Sequence, residues 1–138
     1  MWRRVGRPRR NQNVWGRTMA RTLFERYGGF AVISRVVSSF YDKAVESPVL
    51  APYFEGVDMR RLIDHQTKFI ASMMGGPASF SDDMLLRVHA DLGITEKAFL
   101  EMTSLFRETM EDFDMDESDI ATVHRDILSK KHLIVTKA

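Results

Sequence analysis

An all-α domain is what this sequence predicts, and three observations carry that expectation. From Thr22 onward apolar residues recur three and four positions apart, the period of a helix with one buried face. No useful stretch alternates apolar with polar in the two-residue period of a strand. Glycine pairs and prolines cut the periodic runs into helix-sized lengths. With 138 residues, 44% of them hydrophobic and 28% charged, the chain can bury one core of ordinary size.

The elements follow in order. Thr22 to Tyr27 predicts a short helix stopped by Gly28-Gly29, a pair that permits an unusual turn and close approach of two helices. Ile33, Val36, Val37, Phe40, Tyr41, Ala44 and Val45 form the stripe of a longer helix that ends at Ser47-Pro48, with Tyr41 on its buried side. Pro52 to Gly56 is a compact aromatic corner. Asp58 caps a third helix with Leu62, Gln66, Phe69 and Met73 inward, running to Gly75-Gly76-Pro77. Ser81 or Asp82 starts a short segment, Met84 to Asp91, that ends near Gly93. Thr95 opens a helix through Phe99, Met102, Leu105, Phe106, Met110 and Phe113, and a last helix is expected over about 117–135.

Composition removes several function classes. The chain has no cysteine, so disulfides, thiolate-held metals, cysteine nucleophiles and covalent Cys-x-x-Cys-His attachment are excluded. No apolar run approaches bilayer length, which predicts a soluble, cytoplasmic protein. The net charge of +1 conceals an asymmetry. Residues 1–18 hold six arginines and no acid, leaving fourteen basic against nineteen acidic residues in the rest. The expected division is a basic, disordered leader over 1–18 and one domain over 19–138. The leader reads as a bland tail, a targeting segment or a basic arm for anionic partners; nucleic acid is not an expected partner.

Four histidines, His65, His89, His124 and His132, are the candidates for metal chemistry. His89 shares a face with Leu85, Val88 and Leu92, where a neutral ring nitrogen suits iron, although spacing alone favours a core histidine satisfied by a carbonyl. Tyr41 and Gln66 place polar groups on apolar helix faces, where an unpaired group costs about 1–3 kcal/mol. They satisfy either each other or a polar diatomic ligand. His-Glu-x-x-His and paired Glu-x-x-His are absent, and Asp112, Asp114 and Asp116 lack the glycine and closing glutamate of a calcium loop. No glycine-rich phosphate loop follows a strand. Haem is the simpler cofactor that remains.

Taken together, Leu23-Phe24-Glu25-Arg26-Tyr27-Gly28-Gly29, Phe40-Tyr41, Pro52-Tyr53-Phe54-Glu55-Gly56-Val57-Asp58-Met59, His65-Gln66 through Gly75-Gly76-Pro77, and Val88-His89-Ala90-Asp91-Leu92-Gly93-Ile94-Thr95 resemble the group I, or N-type, truncated haemoglobins over nearly the whole domain. Five or six helices alone would fit a bundle as well as a globin-like packing. The resemblance implies a two-over-two helical sandwich around haem b. It implies His89 as proximal iron ligand, Phe54 against the porphyrin, and Phe40, Leu62, Phe69, Val88, Ile94 and Phe99 lining the pocket. Tyr41 and Gln66 then stabilise the gas on the distal side.

The activity implied is reversible binding of O2, with CO and NO as further ligands. Nitric oxide dioxygenation to nitrate follows if an external reductase restores ferrous iron. His65 also lies in the pocket region and is a candidate sixth ligand, which would turn the protein toward electron transfer or NO handling. His132 falls near the place where some relatives bond a histidine to a haem vinyl group, and His124 reads as an ordinary helix residue. A monomer is expected. A cofactor-free helical interaction module is the alternative from another class.

Overall fold

The computed structural model describes residues 21–77 and 80–137, so the basic leader lies outside the described residues. Helix α1 is Leu23–Arg26, held by a reciprocal capping box between Thr22 and Glu25. Helix α2, Gly29–Ala44, leads through a 3-10 turn at Ala51–Phe54 to α3, Met59–Met73. Helix α4 is Asp82–His89 and α5 is Glu96–Asp112. Helices α6, Glu117–Leu128, and α7, Lys131–Ile134, complete the chain. Asp58, Ser81 and Thr95 each accept a backbone N–H of the first helical turn, as their N-cap positions predict.

The core forms where α2 packs on α3 and α5, and α5 on α6. Ile33, Val36, Val37 and Phe40 of α2 meet Ile70 and Ala71 of α3, Phe99, Phe106 and Met110 of α5, and Ile120, Val123 and Ile127 of α6 in one cluster. Each such large apolar side chain stabilises the fold by roughly 1.5–3 kcal/mol when fully buried. Helix α4 stands apart: it packs on α7, and Leu85 is its one buried residue.

Two glycines permit the close contacts. Gly28 has φ +94°, and a Cβ there would lie 2.5 Å from the Val32 side chain. A Cβ on Gly76 would meet the Ala71 carbonyl oxygen at 2.8 Å and the Phe24 ring at 2.9 Å. The absent side chain lets α1 seat on the end of α3, where the Phe24 N–H donates to the Met74 carbonyl at 2.8 Å.

Four sequence expectations change. Val45 is 41% exposed, because α2 ends before it and the chain turns away. Helix α4 stops at His89 rather than Asp91. The single last helix is two, broken at Ser129–Lys130, where the Ser129 hydroxyl donates to the Asp126 carbonyl and Lys130 leaves to pair with Asp82 of α4. On α3 the core takes Thr67, Ile70 and Ala71, while Leu62, Gln66, Phe69 and Met73 are only half-buried. The helix therefore has two apolar faces: the one read as inward flanks the core, with Phe69 and Met73 packed against its edge, and the other fills it.

Candidate functional site

His89 ends α4 and is half-buried. Its Nδ1 lies 2.7 Å from the carbonyl oxygen of Leu85, one turn earlier. Only a ring N–H can make that bond, so the proton is on Nδ1 and Nε2 keeps its lone pair for a metal. The carbonyl bond expected of an ordinary core histidine is thus present, and it is also the bond that prepares a ligand. Beside His89, Val88 and Leu92 are 51% and 54% exposed, a concentration of apolar surface at the end of α4 and in the turn that follows it.

Tyr41 of α2 sits in an aromatic group. Its ring lies 4.8 Å from Phe40 at 73° and 5.6 Å from Phe54 at 87°, both edge-to-face. Burial pushes its phenol far above the ordinary value, so the hydroxyl keeps its proton and can donate. No hydrogen bond to a described residue offsets that desolvation, and none joins it to Gln66. The reading in which Tyr41 and Gln66 satisfy each other therefore falls. Gln66 stays half-buried on the α3 face with Leu62 and Phe69.

Of the other expected lining residues, Phe54, Leu62, Phe69 and Ile94 are half-buried, and all but Leu62 pack at the edge of the core. Phe40 and Phe99 are 4% and 1% exposed, enclosed in the core cluster and not lining an open face. His65 is exposed, its ring 5.6 Å from that of Phe80, which also meets Phe69 at 5.6 Å. His132 is exposed on α7. His124 is half-buried on α6, and its Nδ1 is shut from solvent without a partner among the described residues.

Sequence reasoning assigned no role to Tyr53 or Thr136. The Tyr53 hydroxyl donates to the Gly93 carbonyl at 3.2 Å and accepts the Thr95 N–H at 3.4 Å. The Thr136 hydroxyl donates to the carbonyl of His89 at 3.3 Å. Neither contact has a signal in spacing, since the partners lie 40 or more residues away.

The family model for bacterial-like globins matches residues 22–135. The group 1 truncated hemoglobin GlbN of Mycolicibacterium paratuberculosis is 32% identical over 78 residues, 56% of this chain and 57% of that relative. The chain thus aligns with little more than half the length of that curated relative. Among solved structures, the 2/2 hemoglobin from Synechococcus sp., in the cyanomet state with covalently attached heme, superposes with TM-score 0.78 at 22% identity, over 85% of this chain and 100% of that one. Truncated hemoglobin from Tetrahymena pyriformis in the Fe(III) form gives a TM-score of 0.74 at 18% identity, over 86% of this chain and 100% of that one.

Haem b is the usual cofactor of globins, and the residues here fit it. His89 offers an Nε2 that keeps its lone pair, Tyr41 a half-buried side chain whose hydroxyl has no partner among the described residues, and Val88 and Leu92 apolar surface beside His89. The match across 22–135, the helical order and the two-over-two neighbours agree, and the chain belongs to the bacterial-like globin family, with the truncated globin fold.

Proposed function

We propose that this protein binds haem through His89 and uses it to bind diatomic gases, O2 foremost. The observation that carries the proposal is the His89 ring, whose Nδ1–H is committed to Leu85 at 2.7 Å and whose Nε2 is thereby left to ligate. When bound, the haem supplies an iron that takes O2, CO or NO and that, with O2, can oxidise nitric oxide to nitrate while an external reductase restores the ferrous state.

The chain's own residues do the rest. Val88, Leu92, Leu62, Phe69 and Phe54 provide apolar walls that exclude water and disfavour loss of an electron to solvent. Tyr41, protonated by virtue of its burial, and the Gln66 amide supply hydrogen-bond donors on the α2–α3 side. Donors there favour O2, whose outer atom gains partial negative charge, over CO.

Haemin titration of the purified chain tests the reading. A sharp Soret band that saturates at one haem per chain is expected. A folded protein that remains colourless would instead support a helical interaction module.

A further inference from the structure

We propose that Tyr53 is a positioning residue: its hydroxyl sets the end of α4, and with it the His89 ring, relative to the wall that carries Tyr41. The inference rests on the reading of His89 as haem ligand.

Helix α4 cannot place His89 by its own packing. It has eight residues and one buried side chain, too little for a helix to hold its position without help at its ends. Its start is held by the Ser81 cap and by Lys130, which meets Asp82 at 3.0 Å. Its end runs straight into the Ala90–Thr95 loop, which passes through Gly93 at φ +63° before Thr95 caps α5.

That loop is held from two sides. From the C-terminal segment, Thr136 and Lys137 donate backbone N–H bonds to the Ile94 carbonyl at 2.9 and 3.1 Å, and the Thr136 hydroxyl reaches the His89 carbonyl. From the other side Ile94 packs on the core, and Tyr53 supplies the hydrogen bonds. Its hydroxyl both donates to Gly93 and accepts from Thr95, whose N–H has no other partner among the described residues. One oxygen thus fixes the two residues flanking Ile94.

Tyr53 is also tied to the aromatic group around Tyr41. It stands in the same 3-10 turn as Phe54, whose ring meets Tyr41 at 5.6 Å, and both pack at the edge of the core. One four-residue turn therefore carries a ring against Tyr41 and a hydroxyl against the loop that follows His89. Any displacement of the turn moves both contacts together.

Haem-loaded wild type, Tyr53→Phe and Tyr27→Phe separate this role from general stabilisation. Tyr27 makes a comparable hydroxyl clamp elsewhere, to Asp119 at 2.6 Å, and serves as the control. Two readouts are taken: the iron–histidine stretching band of the ferrous, ligand-free protein, and the exchange rate of the Thr95 amide hydrogen. In Tyr53→Phe the Thr95 amide should exchange about tenfold faster, the equilibrium worth of one net hydrogen bond, and the band should shift or broaden. Tyr27→Phe should leave both as in wild type. Should Tyr53→Phe fail to fold, Thr136→Val loosens the same loop from its other side, and the same change in the band is expected. A band unchanged in position and width in the folded variant overturns the proposal, whatever the exchange rate does. A wild type that binds haem without any iron–histidine band refutes the ligand assignment itself, before any variant is compared.

Discussion

The ring Nδ1 of His89 donates to the carbonyl of Leu85 at 2.7 Å, inside one turn of α4. The bond is local, but its consequence is chemical. It selects the tautomer in which Nε2 carries the lone pair, and it turns the ring about its own axis toward a fixed heading. His89→Ala should abolish native coordination of added haem, and millimolar imidazole should restore part of the ferrous spectrum by filling the space. Absorbance spectroscopy checks this, and an unaltered spectrum in the variant would remove His89 as the ligand.

Tyr41 and Gln66 make a second prediction. If each donates one hydrogen bond worth about 1.5–3 kcal/mol to bound O2, Tyr41→Phe and Gln66→Leu should each raise the O2 dissociation rate by about one to two orders of magnitude. CO dissociation should change less, and the double variant should fall short of the product because both donors serve one ligand. Stopped-flow displacement measures all four proteins; equal O2 rates throughout would show that neither side chain reaches the gas.

His65 is exposed and packed edge-on to Phe80. The ferrous, ligand-free protein should therefore show the one broad visible band of five-coordinate iron, the same in His65→Ala. Two sharp bands in wild type that disappear in the variant would identify His65 as a sixth ligand.

Arg26 and Tyr27 hold Asp119, joining the α1 end to α6. The Arg26 guanidinium bond, ahead of the Tyr27 hydroxyl, keeps the Asp119 carboxyl below its ordinary value of 3.8. A carboxyl whose folded pKa is depressed contributes stability above the unfolded value and loses it as pH falls through the folded one. Asp119→Asn should cost about 1–2 kcal/mol at pH 7, and the gap should close as pH drops below 3.8. Urea unfolding of the haem-free protein at several pH values decides; a gap of constant size would mean that the charge is not what matters.

Gly28 and Gly56 both have positive φ, +94° and +72°, but a Cβ would strike Val32 at Gly28 and meet nothing within 4 Å at Gly56. Alanine should cost about 1–2 kcal/mol at Gly56 from backbone strain alone and more at Gly28. Thermal unfolding of the two variants would contradict this if Gly56→Ala proved the less stable.

Much of this molecule is written locally. The apolar period, the Asp58, Ser81 and Thr95 caps and the glycine stops depend on neighbours within a turn, so helix order and most boundaries are legible in the sequence. So is the pairing of His89 with Leu85, four residues apart on one helix. The failures mark where distant chain takes over. Periodicity shows that α3 has an apolar face through Leu62 and Phe69 but not that a second face, with Ile70 and Ala71, enters the core. It cannot show that Lys130 leaves the last helix for Asp82, that Tyr41 has no bond to Gln66, or that Tyr53 reaches Gly93 and Thr95. Local hydrogen bonding and amphipathic spacing decide what each segment becomes; which buried polar groups find partners is decided only when packing brings segments 40 or more residues apart into contact, because that choice depends on distance through space and not along the chain.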